Sequence, residues 1–434
     1  MQRKGVLKTK GFCLVSFLLI VFIIHPLNLF GQEDSQEKVF KVEVKDNLIA
    51  VNVKEAELSD VLQEIGKKAN VKLTISKNLS GKKITAYFEN LDAETVLKEI
   101  LQEYFYVFTF IDNPANKEKH ILKEVRVESD VIGTKPYKGK MFSVDIPYGS
   151  GVGEVGVVDA GEGAMGGPPS FAVDDIGNIF ILDPLNKRIQ IFSKQGVYLS
   201  SMPLKITACD IAIDKHGFIY VYHCGDGIVK KLYQYKKDGD IVAVIDVDAS
   251  RWNVYDAPIS IVNNNIYIDT CNYNNTCGFF LIGRILAGNI LGRPSFEESK
   301  TPKVKRIGLS GREYTGEATK GVRGELKIKE QGIGIYKTIS LPLKNILSIQ
   351  FMAEDTSGNL FVKTDRDDEN YKLVEEFHNF SANGDYLRTI KMSGSNIHFR
   401  STKNYDLSKD GTIYQFLPET DKLRLNIFPV EENQ

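Results

Sequence analysis

The segment Pro169 to Gly196, PSFAVDDIGNIFILDPLNKRIQIFSKQG, constrains the fold of this chain more than any other. It reads as three short strands. Ser170–Val173 is apolar and runs into the turn Asp174-Asp175-Ile176-Gly177, and Asn178–Leu182 is a β-rich run closed by Asp183-Pro184-Leu185-Asn186. Arg188–Phe192 sets Ile189 and Ile191 against Arg188 and Gln190 with period two, so one face is buried. Gly177 and Gly196 fall where tight turns need positive φ. One such unit cannot bury both faces, so it needs neighbours.

The neighbours are present. A second copy starts at Asp210, with Gly217 40 positions after Gly177 and Gly239 43 after Gly196. A later copy carries Gly358-Asn359-Leu360-Phe361-Val362 and then Gly384, and a last one carries Gly411-Thr412-Ile413-Tyr414. Two degenerate copies lie between, one in ISIVNNNIYIDT with GFFLIGRI and one over Lys303–Leu343. Several strands per repeat at a period of about 40–45 residues is the pattern of a propeller blade. The first copy resembles an NHL repeat, through Ala172-Val173-Asp174, Gly177-Asn178-Ile179, Asp183, Asn186 and Arg188-Ile189-Gln190-Ile191-Phe192. The lead-in Tyr148-Gly149-Ser150-Gly151-Val152-Gly153-Glu154 looks like the glycine-rich link before such repeats. The expected fold class is mainly β: a small α+β domain followed by a propeller over residues 141–434, six blades being the best fit. Met141–Pro147 alternates and is expected to supply the outermost strand of the last blade, which removes an open sheet edge.

Ahead of the repeats the pattern changes. Residues 1–31 have a basic start and an apolar run, Phe12 to Ile24, of the length of a secretory signal and short for a membrane span. The expectation is a signal peptide over 1–31; an uncleaved anchor is the alternative, and the only membrane association foreseen. Residues 38–128 then read as a strand (Leu48–Val53), a helix with Leu58, Val61, Leu62 and Ile65 on one stripe, and a strand (Val71–Ile75). A strand from Lys83, a second helix capped by Asp92, and a hairpin of Tyr104–Ile111 with Ile121–Val127 complete the domain. This order resembles the short N-terminal domain shared by secretins and TonB-dependent receptors, through Leu58-x-x-Val61-Leu62-x-x-Ile65, Val71-x-Leu73-x-Ile75, Leu79-x-Gly81 and Ala93-x-x-x-Leu97-x-x-Ile100-Leu101. The resemblance implies a periplasmic protein-docking module. No secretin pore or receptor barrel follows it. Residues 129–140, SDVIGTKPYKGK, read as a linker.

Charge and cysteine content narrow the partners. The formal net charge is −1, and without the four cations of residues 1–31 it is 51 basic against 56 acidic groups, so binding of nucleic acid by bulk charge is not expected. Of five cysteines, Cys13 lies in the leader. Cys271 and Cys277 bracket NYNNT and are the leading candidate disulfide; Cys209 and Cys224 flank a hairpin and are the second. Buried free thiols are the alternative for both pairs.

Chemical motifs are sparse. Gly151-Val152-Gly153-Glu154-Val155-Gly156 matches GxGxxG, but no helix can follow in VVDAGEGAMGGPP, so no dinucleotide site is expected. His216 and His223 are the one loose histidine pair. Asp174, Asp214, Glu354 and Asp406 recur near blade-strand ends, where a channel metal is one reading and a side chain fixing its own turn is the favoured one. No catalytic, cofactor-binding or metal-ligating residue is assigned, and no cofactor is expected. Arg293–Arg323, polar and basic, reads as a solvated rim insertion. The expected function is a non-enzymatic periplasmic scaffold. Its small domain would dock to an envelope protein, such as a secretion or outer-membrane assembly component, and its propeller would bind a second partner, a peptide or a glycan. The alternative is a metal-dependent propeller hydrolase or lyase with its site in the central channel.

Overall fold

The computed structural model describes residues 39–128 and 136–430, apart from 162–163, 224–228, 249–258, 263, 272–276, 287–288, 292–304, 320–322, 331–333, 369, 371, 395–397 and 400–402. The leader lies outside the described residues. All described residues belong to one compact unit. Among them no helix is long and apolar enough to cross a membrane.

The small domain runs β1 (Phe40–Lys45), β2 (Leu48–Glu57), α1 (Leu58–Ala69), β3 (Lys72–Ile75), β4 (Lys83–Leu91), α2 (Ala93–Ile100), β5 (Tyr106–Asn113) and β6 (Asn116–Val127). The apolar stripes lie where 3.6-residue periodicity puts them: Leu58, Val61, Leu62 and Ile65 on α1, with Val96, Leu97 and Ile100 on α2, enter one core with Val51, Phe108 and Val125. Asp92 caps α2 by accepting the Thr95 amide at 2.9 Å. Strands β1, β2 and β4 form one sheet, while β3 lies parallel to β6 and joins another.

That second sheet is shared with the propeller. Six blades surround the channel. Five of them are four-stranded antiparallel sheets, and the fourth forms part of a seven-stranded sheet. The inner strands are Phe171–Val173, Ala208–Ile213, Ile259–Val262, Lys305–Ile307, Ile346–Glu354 and Tyr405–Leu407. Strand β7 (Phe142–Pro147) closes the ring by pairing with Lys422–Phe428, Val144 opposite Leu425 and Ile146 opposite Leu423. The expected closure is therefore present. In blade 4 the outer strand Ile335–Leu341 pairs antiparallel with β5, from Ile335 opposite Ile111 to Ile339 opposite Val107. Phe105 and Val107 then pack with Tyr314, Leu326 and Ile339 of blade 4 and Phe380 of blade 5. Arg126 donates to the Asn383 carbonyl at 2.8 Å and pairs with Asp385 at 2.9 Å.

The sequence expectation for Arg293–Arg323 needs correction. Lys305–Ile307 and Glu313–Thr319 are the two inner strands of blade 4, and Tyr314 is fully buried with its ring stacked 3.8 Å from Phe351. A three-residue inner strand is too short for alternation to show, and the surrounding charges mask Tyr314, which enters the core.

Candidate functional site

The six inner strands converge on a cavity of about 380 Å³, lined by residues from every blade. The volume lies within the range of small-molecule sites. Repeat register explains most of its wall. Where three blades approach the axis, alanine stands two positions before the turn aspartate: Ala172 before Asp174, Ala212 before Asp214, Ala353 before Asp355. Each of these aspartates folds back on its own turn. Asp174 accepts the amides of Ile176 at 3.1 Å and Asn178 at 2.8 Å, Asp214 those of His216 and Phe218 at 2.9 Å, and Asp355 those of Ser357 at 2.9 Å and Asn359 at 2.8 Å. Gly177, Gly217 and Gly358 complete these turns at φ of 87°, 80° and 79°.

Asp406 breaks the register. Blade 6 has Ser408 at the turn position, so Asp406 stands where blades 1, 2 and 5 have alanine and blade 4 has Arg306. Its carboxylate accepts the amide of Val173 in blade 1 at 2.9 Å and that of Leu407 at 3.0 Å, and the side chain lines the cavity. Asp406 keeps part of its surface exposed, yet desolvation by the surrounding wall raises its pKa; Lys403 and the two amides oppose this, and Asp210 adds to it.

Asp210 is fully buried behind the wall and also has a raised pKa, from burial first, with Lys403 and Ser170 opposing. It accepts hydrogen bonds from the Ser170 hydroxyl of blade 1 and the Ile259 amide of blade 3. Lys403 of blade 6 donates to the Ile211 carbonyl at 2.8 Å and stands 3.7 Å from Asp210. One lysine thus sits in the field of two carboxyls, one sealed in and one open to the cavity.

A second cluster lines the wall between blades 5 and 6. Lys363 pairs with Asp365 at 2.5 Å and Glu375 at 2.6 Å, and lies 5.4 Å from the Tyr405 ring centroid. The Tyr405 hydroxyl donates to Glu375 at 2.7 Å, and burial, then the Glu375 charge, raises its pKa.

The residues named from sequence scatter accordingly. Asp174 and Asp214 fix their turns. Glu354 belongs to a different turn, accepting the Ser310 amide at 2.9 Å and hydroxyl at 2.7 Å in blade 4. Of the four, Asp406 alone places its carboxyl at the cavity without holding a turn. Asp210, Lys403, Lys363, Glu375 and Tyr405 carried no motif; for Asp406 the signal available was an acid at a register position that blades 1, 2 and 5 fill with alanine. Among the described residues no group of three or more histidine, cysteine, aspartate or glutamate side chains is placed to hold a metal ion. No step below uses a metal.

Cys271 and Cys277 are opposite each other in strand register, but their side chains lie outside those described. Cys209 is disulfide-bonded, and its candidate partner Cys224 lies outside the described residues.

No family model matches the chain, and no curated protein matches it. Solved structures similar to it include virginiamycin B lyase from Staphylococcus aureus, 13% identical with a TM-score of 0.35, covering 68% of this chain and 100% of that one. The periplasmic gluconolactonase of Pseudomonas aeruginosa is 13% identical with a TM-score of 0.36, covering 66% and 92%. A calcium-binding protein, regucalcin, from Agrobacterium tumefaciens is 11% identical with a TM-score of 0.36, covering 61% and 92%. The expectation that this chain is not an enzyme is corrected on this finding, since two of these propellers are named as enzymes. At such TM-scores the likeness transfers neither substrate nor residue roles to this chain.

Proposed function

We propose that the central channel is the active site of a hydrolase or lyase working by acid–base chemistry at Asp406. One observation carries this reading: a carboxyl with a raised pKa lines the central cavity at a register position that blades 1, 2 and 5 fill with alanine. A carboxyl poised in this way can give its proton to a leaving oxygen as the bond to that oxygen breaks. The carboxylate then regains one proton, from the attacking water in a hydrolase or from the carbon beside the broken bond in a lyase. Lys403 holds positive charge beside the site and steadies the carboxylate formed in the first step. The disulfide at Cys209 supports an oxidising compartment, in keeping with the periplasmic location we propose. Exposed Val39, Phe40, Val44 and Leu48 around β1 support docking of the small domain to an envelope protein as an additional role.

The test is turnover of a panel of small esters, lactones, amides and uronate-type elimination substrates by the purified protein. Products are weighed for addition of water or scanned for a new double bond. Asp406→Asn is expected to lower kcat by roughly 10²- to 10⁴-fold and to remove one limb of the pH profile. Full activity in Asp406→Asn, or no turnover of any panel member, overturns the assignment.

A further inference from the structure

Each blade sets one residue of its inner strand opposite a buried aromatic of the next strand. Ala172 stands opposite Phe180, Ala212 opposite Tyr220 and Ser260 opposite Tyr267. Arg306 stands opposite Tyr314, Ala353 opposite Phe361 and Asp406 opposite Tyr414. All six inner residues line the central cavity. The shared register makes them one ring of equivalent positions, which reads Ala, Ala, Ser, Arg, Ala, Asp from blade 1 to blade 6. A cation and an acid thus stand two blades apart, with only the methyl group of Ala353 at the position between them.

Arg306 differs in chemistry from the lysines of the same wall. Lys409 pairs with Asp175, Lys363 with Asp365 and Glu375, and Lys403 donates to the Ile211 carbonyl. An ammonium is a point charge, whereas a guanidinium is a fork of five donors that can take a carboxylate through two parallel bonds and keep others for the protein. The Nη1 of Arg306 stands 3.9 Å from the sulphur of Met352 in blade 5, a weak acceptor that also lines the cavity. The guanidinium therefore leans over blade 5, on the side of the ring where Asp406 lies.

We infer that the substrate is a small molecule bearing one carboxylate, and that Arg306 is the residue that selects it. The guanidinium takes the carboxylate, and Ala353 leaves room for the reacting bond to lie at Asp406. Where that bond lies rests on the acid–base reading of Asp406; the anchoring at Arg306 does not. Charge favours a carboxylate over a phosphate, since Asp406, Glu354 and Glu375 share the wall and would repel a second negative charge. Ala172 and Ala212, on the opposite blades, leave space for an uncharged body.

Calorimetric titration of the purified protein with D-glucuronate, with its uncharged methyl ester and with inorganic phosphate tests this. Wild-type protein is expected to bind the acid roughly 10- to 100-fold more tightly than the ester, and phosphate more weakly than the acid. Arg306→Gln should lose that preference while its affinity for the ester stays unchanged; a merely structural role would weaken both. No binding of glucuronate by the wild type, equal binding of the ester, tighter binding of phosphate, or a preference that survives in Arg306→Gln overturns the inference. Should that variant lose its circular dichroism, Arg306→Lys is read in the same titrations. It keeps the charge and loses the fork, so its preference must fall, and an unchanged preference refutes the anchor. Asp406→Asn separates the two readings. It should keep the preference for the acid, because the anchoring does not pass through it, and loss of the preference there refutes the anchor. Full turnover in Asp406→Asn would remove the catalytic assignment and leave the anchor standing.

Discussion

Blade 1 and blade 4 reach the same four-stranded form by opposite means. Blade 1 supplies its own fixings. Asp174 holds its turn, and Asp183 accepts the Gly156 amide at 3.0 Å, the Asn186 amide side chain at 2.9 Å and the Arg188 guanidinium at 3.0 Å. Arg188 in turn donates to the Gly151 and Glu154 carbonyls at 2.8 Å, tying the glycine-rich lead-in to the blade. Blade 4 borrows its fixings. Its turn has Gly308 where blade 1 has Asp174, and the missing carboxylate is Glu354, reaching over from blade 5. A Cβ at position 308 would come within 2.3 Å of the Glu354 carboxylate, so the glycine makes room for the borrowed group. Its outer edge is borrowed too, from β5. A repeat can lose its signature and keep its shape when neighbours take over each missing contact.

The comparison breaks most sharply at Phe105. This small-domain residue is 1% exposed, and its ring lies 5.9 Å from Phe380 in blade 5. Phe105→Ala is expected to destabilise the protein by about 3–5 kcal/mol in denaturant unfolding. Hydrogen exchange should open blades 4 and 5 while blade 1 stays protected. Uniform loss of protection across all blades would show that blade 4 is no more dependent than blade 1.

Acid should separate the same blades. His378 of blade 5 is fully buried between Thr364 at 2.9 Å and Thr389 at 2.8 Å, and burial lowers its pKa from 6.5 to about 4. The unfolded chain takes up a proton near pH 6.5 that the folded chain refuses. Stability from this group is therefore complete above that pH, falls as pH drops towards about 4, and loses about 3 kcal/mol over the window. Equilibrium unfolding at stepped pH measures the slope, and His378→Gln should flatten it. An unchanged slope in that variant would assign the acid sensitivity elsewhere.

Glu354→Ala gives a smaller effect, about 2 kcal/mol, because it removes two hydrogen bonds to a buried carboxylate. A double-mutant cycle with Ser310→Ala should show coupling across the two blades. Additive effects would mean the carboxylate is not what holds the blade 4 turn.

Legibility in the sequence follows the same division. Blade 1 could be read because Asp174, Gly177, Asp183, Asn186 and Arg188 act within some fifteen positions of one another. The six-bladed ring and its closure by β7 followed from the spacing of such units. Blade 4 faded because its contacts come from residues distant in sequence, Glu354 and Phe105, and distance in sequence leaves no pattern. Asp406 was noticed as one of four recurring acids, yet its difference from Asp174 and Asp214 appears only once the repeats are set in register. Lys403 and Asp210 were silent, since their meaning lies in the convergence of blades 1, 2, 3 and 6 at one point.

The closure of blade 6 offers the smallest expected effect and the finest distinction. Arg424 holds Asp145 of β7 through bonds of 2.8 and 3.2 Å, and Lys422 stands 2.9 Å from it, which lowers the Asp145 pKa to about 2. The stability this gives is present above about pH 4 and is lost as pH falls towards 2. Asp145 is 45% exposed, however, and solvent screens most of the attraction. Asp145→Asn is therefore expected to cost less than about 1 kcal/mol. The seam is held instead by Val144 and Ile146, 8% and 1% exposed, in one cluster with Phe416, Leu423 and Leu425. Ile146→Ala should cost about 2–4 kcal/mol in the same unfolding experiment. If Asp145→Asn matched it, and the loss vanished in high salt, the ring would be closed by charge, and blade 6 would resemble blade 4 in depending on polar contacts supplied from outside its own core.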